Sequence, residues 1–195
     1  MLKWFARFVL RCLGWTFHWD VPKEKKYVYL AFPHSSNWDG FYLLLFIAAY
    51  PVKLHWMGKK SLMDPPLGWI TRPFGGVGID RSAPQNTVEQ MASVFEQEES
   101  FALAIPPEGT RSYRDYWKSG FYHIAMTANV PVCCGVLDYK KKTAGFGPMI
   151  HLTGEIDADM DKIRDVYREF APEGLRHKKV GPIRLRQEIP EESGG

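Results

Sequence analysis

His34 and Asp39 stand five positions apart within Ala31-Phe32-Pro33-His34-Ser35-Ser36-Asn37-Trp38-Asp39-Gly40. An imidazole can take a proton from a hydroxyl near neutral pH, and a carboxylate against its other ring nitrogen fixes the tautomer that does so. On one continuous helix, five residues turn through about 500°, which leaves the two side chains about 140° apart. They meet if His34 lies in a loop and Asp39 in the first turn of the helix that follows. Pro33 favours a non-helical approach, and Ser35, Ser36 and Asn37 are each able to cap a helix. The plainer alternative is a capped helix with an Asp favoured by the dipole, beside a His that merely packs.

A second set of residues suits anion binding. Arg111 lies in Pro106-Pro107-Glu108-Gly109-Thr110-Arg111-Ser112, directly after the apolar run Phe101-Ala102-Leu103-Ala104-Ile105. Arg81 follows Gly75-Gly76-Val77-Gly78-Ile79-Asp80. Guanidinium groups bind phosphate through paired hydrogen bonds, and glycine lets a ligand approach the backbone closely. Surface salt-bridging is the alternative for both arginines. Lys118 is a weaker candidate of the same kind. Other motifs fail. Gly58-Lys59-Lys60-Ser61 imitates the end of a phosphate-binding loop, but Lys53 stands where its first glycine belongs. Arg81 occupies the last glycine position of a dinucleotide fingerprint. Neither Ser112 nor Ser119 sits in a G-x-S-x-G elbow. The six histidines are scattered without metal-ligand spacing, so no metal site is expected.

To meet, these groups need strands that end at one edge and helices that begin there. Residues 27–32, 52–57, 101–105, 130–137 and 149–152 read as strands, with a brief one after Gly75. Residues 41–50, 86–98, 118–128 and 157–170 read as helices, and 62–72 as a short helix interrupted by Pro65-Pro66. The 41–50 helix is apolar almost all round, which suits a buried position, and it is too short to span a bilayer. Alternation of strand and helix argues an α/β fold, a single-layer mixed or mostly parallel sheet flanked by helices.

Residues 1–20 read as an amphipathic helix ahead of one domain over 21–186, with a polar, acidic, disordered tail at 187–195. Lys3, Arg7 and Arg11 share one side of the first helix, while Trp4, Phe5, Phe8, Val9, Cys12 and Leu13 fill much of the rest. With Trp15 and Trp19 nearby, this suits a helix lying in a bilayer interface, and docking on the protein's own core is the alternative. It matches neither a signal peptide nor a spanning helix. Arg176-His177-Lys178-Lys179 is a basic cluster.

Composition sets the outer bounds. The chain has 195 residues, enough for one domain with a proper core, and 45% of them are hydrophobic. A net charge of +3 gives no reason to expect nucleic acid. Three cysteines, two of them adjacent in an apolar run, fit a reducing compartment.

Four blocks in this order resemble the glycerolipid acyltransferases, the family that includes lysophosphatidate (1-acylglycerol-3-phosphate) acyltransferase. They are His34 to Asp39 as H-x-x-x-x-D; Gly76-Val77-Gly78-Ile79-Asp80-Arg81; Pro107-Glu108-Gly109-Thr110-Arg111-Ser112; and Val130-Pro131-Val132-Cys133-Cys134-Gly135-Val136. The third is the most specific. The resemblance implies transfer of an acyl chain from acyl-CoA or acyl carrier protein to a lysophospholipid hydroxyl, with lysophosphatidate the leading acceptor. His34 is then the base and Asp39 its partner. Arg81, Glu108, Gly109, Thr110 and Arg111 bind the acceptor, Glu108 by orienting an arginine or holding a hydroxyl. Helix 41–50 becomes a wall for the acyl chain. No bound cofactor is implied, and the expected setting is the cytoplasmic face of a membrane. The rival readings are a different lysolipid acceptor or a non-catalytic peripheral membrane protein using its basic ends.

Overall fold

The computed structural model describes residues 2–18, 21–50, 53–79, 84–170 and 180–189. Arg81, Trp19 and the Arg176 to Lys179 cluster therefore lie outside the described residues. Seven strands form one sheet in the order β1-β7-β6-β2-β5-β3-β4. They are β1 Thr16–His18, β2 Lys26–Leu30, β3 Leu54–Lys59, β4 Gly76–Ile79, β5 Phe101–Ile105, β6 Val132–Asp138 and β7 Thr143–Ile150. β6 and β7 pair antiparallel and every other pair is parallel, so the expected mostly parallel α/β sheet is the observed one.

Strand alternation sorts the core into two faces. Val28, Leu30, Leu103, Ile105, Val132, Cys134 and Val136 point to one side. There they meet Met91 and Phe95 of α5 (Pro84–Gln97), Phe121 and Ile124 of α6 (Gly120–Ala128), and Met160, Ile163 and Tyr167 of α7 (Ile156–Phe170). Tyr27, Tyr29, Leu54, Ala102, Ala104 and Cys133 point the other way, with Leu43 and Ile47 of α2 (Asn37–Ala49) over them. Gly58 shares the side of Leu54, and Met63 of α3 (Lys60–Met63) fills the space its missing side chain leaves. Helices α1 to α3 and the short α4 (Gly68–Thr71) thus belong to one face, and α5 to α7 to the other.

Five elements differ from the sequence reading. The expected helix over 62–72 is two four-residue helices, because Pro65-Pro66 lies between them and proline cannot continue a helical ladder. The last strand runs over Thr143–Ile150 rather than 149–152; its middle, Gly-Phe-Gly-Pro, hides a strand behind turn-like residues. The first helix stops at Cys12, and Thr16–His18 joins the sheet beside β7. Helix α1 (Leu2–Cys12) docks through a narrow stripe, Ala6 and Leu10, and Arg7 Nε donates to the Ala49 carbonyl at 2.9 Å. Leu2, Trp4, Phe5 and Phe8 stay exposed. Helix α2 is likewise not wholly buried, since Trp38, Phe41 and Leu44 face outward. At the other end, Gln187 and Glu188 lie in a single helical turn, Arg186–Glu188, tied to α7 by an Arg164–Glu188 ion pair; residues 190–195 lie outside the described residues.

Helix α7 is seated by a buried carboxylate. Asp159 accepts from the Thr153 amide at 2.7 Å, the Thr153 hydroxyl at 3.0 Å, the Tyr122 hydroxyl at 3.0 Å and Lys162 Nζ at 2.9 Å. Burial pushes this carboxyl up, but those donors outweigh it and hold it at about 2. A depressed carboxylate contributes stability that is full above its unfolded value and is lost as pH falls through about 2. Asp159→Ala is expected to cost about 3 kcal/mol of unfolding free energy at neutral pH, and to flatten the acid arm of stability against pH. Urea titration across pH checks both.

Candidate active site

Strands β2, β5 and β6 are parallel neighbours, so their carboxyl ends share one edge. In an open α/β sheet that edge opens into the ligand crevice. His34 follows β2, Glu108 follows β5 and Tyr139 follows β6. The first two are candidates from the sequence, and the third was not.

The His34 loop becomes a helix through one carboxylate. Ser36 caps α2, its hydroxyl accepting the Trp38 amide at 3.1 Å. Asp39, three residues into the helix, reaches back with Oδ2 to the Ser36 amide at 2.8 Å and the Ser35 amide at 2.6 Å. This is the reciprocal cap of an S-x-x-D start. The same Oδ2 stands 3.3 Å from His34 Nδ1. The loop-then-first-turn geometry required by the spacing is the geometry found. With Nδ1 turned to Asp39, Nε2 is left on the opposite edge of a ring that lines the cavity.

Tyr139 completes the arrangement. Its hydroxyl donates to Asp39 Oδ1 at 2.6 Å. Burial and the adjacent carboxylate both raise the phenol, which therefore stays a donor. Burial also pushes Asp39 upward, but bonds from His34, Tyr139 and the Ser36 and Ser35 amides outweigh it and hold the carboxyl below its ordinary value. Tyr139 is set by aromatic neighbours, lying edge-on to Trp15 at 5.3 Å and to Tyr42 at 5.7 Å between ring centroids. Its signal in the sequence was a tyrosine directly after an apolar strand, which carries no spacing rule to His34.

Glu108 is buried and accepts the His34 amide at 2.7 Å. The resemblance gives it an arginine or an acceptor hydroxyl as partner; among the described residues it pairs with no arginine, and it joins the β5 turn to the His34 loop. Burial raises this carboxyl, against the His34 amide bond and the His34 charge. The turn itself needs Gly109. Its φ is +66°, and a β-carbon there would run into the Lys118 side chain. Its amide donates to the Pro106 carbonyl at 3.0 Å, and the Lys118 amide donates to the Pro107 carbonyl at 2.8 Å. Lys118 thus lies across the Pro107 to Arg111 turn. Arg111 is exposed and makes no ion pair among the described residues. Thr110 Oγ1 accepts the Ser112 amide at 3.2 Å. Behind both loops Phe32, Trp117 and Tyr167 stack edge to face, with Phe32 at 4.9 Å from each of the other two.

A cavity of about 1770 Å³ opens over these groups. His34, Asp39, Gly109, Thr110, Arg111 and Lys118 supply part of its polar lining, with Glu89, His123 and Arg186 also on it, and Leu43, Ile47, Trp56, Ile70 and Phe74 much of its apolar wall. It exceeds the roughly 300–1,000 Å³ usual for a small-molecule site. Among the described residues, no group of His, Cys, Asp and Glu is placed to hold a metal ion. No helix of these residues is long and apolar enough to cross a membrane.

A protein-family model described as Acyltransferase matches residues 16–137. The chain belongs to the acyltransferase family. The resemblance drawn from the four motifs is thereby borne out at the level of family and fold. Among solved structures the chain is similar to the 1-acyl-sn-glycerophosphate (LPA) acyltransferase PlsC from Thermotoga maritima. That match has a TM-score of 0.55 and 16% identity, and covers 86% of this chain and 76% of the other. A search of curated proteins gives no match.

Tyr139→Phe removes one charge-assisted hydrogen bond, worth about 1.5–3 kcal/mol, from the dyad's carboxylate. It is expected to raise the Asp39 pKa, seen by NMR titration of the carboxyl, and to lower kcat about tenfold with the fold unchanged. Glu108→Ala is expected to act through the His34 backbone, lowering kcat with little change in acceptor KM.

Proposed function

We propose that this acyltransferase moves an acyl chain from a thioester, acyl-CoA or acyl carrier protein, to the free hydroxyl of a lysophospholipid, lysophosphatidate being the leading acceptor. The observation that carries this reading is the shared cavity. An Asp-held histidine, an arginine with no ion pair among the described residues, and Lys118 line the same space as a long apolar wall. The proton relay suits an alcohol, the cations suit a phosphate, and the wall suits an acyl chain. The 1-acyl-sn-glycerophosphate named for the similar structure has all three parts.

The chemistry follows from the dyad. The acceptor hydroxyl attacks the thioester carbonyl carbon while His34 Nε2 takes its proton. Asp39 steadies the imidazolium so formed, with Tyr139 and two backbone amides holding Asp39 in place. The tetrahedral intermediate then collapses, the carbon–sulfur bond breaks, and the imidazolium returns the proton to the departing thiolate. No covalent enzyme intermediate is needed. Arg111 and Lys118 hold the acceptor phosphate, with Gly109 and Thr110 forming the turn beneath it. Arg81 joins them by motif alone, since it lies outside the described residues. The substrate is drawn from a lipid surface, to which the exposed apolar residues of α1 are suited. A non-catalytic membrane protein would explain that helix but not the dyad.

Purified protein with palmitoyl-CoA and lysophosphatidate is expected to yield phosphatidate by mass spectrometry. His34→Ala is expected to lose at least about a hundredfold in rate, the low end of general-base catalysis. Arg111→Ala is expected chiefly to raise the acceptor KM, with kcat nearly held. Turnover by His34→Ala at the wild-type rate would remove the base from this mechanism. Failure with every lysolipid and both donor types would remove the transferase reading of the acceptor.

A further inference from the structure

The exposed apolar side chains are distributed unevenly. On the sheet face that carries α1 to α4, large apolar groups stand in solvent on all four helices. On α5 to α7, among the described residues, Met126 alone does so. Helix α1 accounts for part of this. The rest centres on the α3–α4 hairpin, a segment to which the sequence assigned no role. Leu67 is 50% exposed and Trp69 is 74% exposed, as much as Trp4 of α1.

The hairpin holds these groups outward. Its two short helices are tied together by the Thr71 hydroxyl to the Leu62 carbonyl at 2.8 Å and by Arg72 Nε to the Met63 carbonyl at 2.9 Å. Gly68 has no room for a side chain, because a β-carbon would strike the Met63 carbonyl. Beyond α4, Trp56 Nε1 donates to the Phe74 carbonyl at 2.9 Å and fixes the return to the sheet. Trp69 is therefore presented by a braced turn and cannot fold inward without breaking it.

Two further facts bear on what would cover the tip. Lys59, Lys60 and Arg72 are exposed in the segment 59–74 that carries it, against Asp64 as the one acid of that segment. An apolar centre with tryptophan and a cationic rim is the composition that partitions to an anionic lipid interface. The same hairpin also forms the cavity wall, through Ile70 and Phe74. Whatever seats on Leu67 and Trp69 adjoins the space that His34 lines.

We propose that the α3–α4 hairpin is a second membrane anchor, separate from α1, which seats the cavity against an anionic phospholipid bilayer so that a lipid passes into it along Ile70 and Phe74. The inference rests on the lipid-substrate reading above, but its primary test needs no turnover. Full-length protein is mixed with vesicles of phosphatidylcholine and phosphatidylglycerol, and partition is measured by sedimentation. Leu67→Asp/Trp69→Asp is compared with Trp4→Asp/Phe8→Asp and with wild type, each first shown to keep the wild-type unfolding midpoint. Vesicles with brominated acyl chains report depth, by comparing quenching of wild type with that of the conservative Trp69→Leu.

The expected result is a partition at least about tenfold weaker for the hairpin variant, comparable to the α1 variant, falling further with added salt. Trp69 should contribute a quenched component that Trp69→Leu lacks. On a short-chain, water-soluble substrate the hairpin variant should keep wild-type turnover, while on vesicle-borne substrate it should lose it. Wild-type partition by the hairpin variant, or tryptophan quenching unchanged in Trp69→Leu, would overturn the proposal. Vesicle binding that depends on the hairpin, in a protein inactive toward every lysolipid, would leave the anchor standing and remove the transferase reading.

Discussion

The Asp39 carboxylate holds this site together because it does two jobs with one group. It is the third residue of the α2 cap, satisfying backbone amides that the start of a helix leaves without partners. It is also the partner of His34. The orientation of the imidazole is therefore set by the same bonds that start the helix. A carboxylate is suited to both tasks, since the helix N-terminus and a proton-accepting imidazole each stabilise negative charge. The chain cannot misplace the acid relative to the base without losing its helix start.

That local device works only at the right edge of the right sheet. Parallel pairing of β2 with β5 and β6 brings three strand ends together, and each supplies one member of a connected set. Glu108 fixes the His34 backbone, Tyr139 fixes Asp39, and Asp39 fixes the ring. The antiparallel return of β7 is what allows the tight turn that carries Tyr139, because antiparallel strands need no crossover helix. The aromatic wedge of Phe32, Trp117 and Tyr167 then supports the β2 and β5 loops from the α7 side. A change at Tyr139 is felt at His34 through Asp39, without touching the imidazole.

How much of this was legible in sequence depended on the length scale. Spacing set the one geometry in which His34 and Asp39 can meet, because helix geometry admits few ways for residues five apart to do so, and the motifs downstream favoured the pair over a plain capped helix. The parallel strands β2 to β6 were legible as short apolar runs bounded by turn residues, whereas β1 was read as part of the first helix. β7 was not, because Gly145, Gly147 and Pro148 imitate a loop, and its place is set by pairing with β6. Tyr139 and the Glu108 bond to His34 were invisible for a related reason. Each joins residues far apart in the chain, and nothing local marks a side chain whose partner comes from another strand end. Helix α2 was misread in degree, because an apolar run tells nothing of whether protein, solvent or lipid covers each side.

The sidedness of α2 connects that last point to the chemistry. One surface of the helix lies on the sheet through Leu43 and Ile47, which also line the cavity, while Trp38 and Phe41 face outward. Its N-terminus carries the carboxylate that holds His34. A helix built this way has its polar start at the His34–Asp39 pair and its apolar length along the cavity that they line. An ester bond to a lipid is made where a charged headgroup region meets an apolar chain. On the proposed function, base, cations and wall on either side of one helix start would set the reacting carbonyl at that boundary, with the alcohol and phosphate toward the strand-end loops and the chain toward α2. The same boundary divides the molecule's surface, since the face that carries α2 is also the one left apolar.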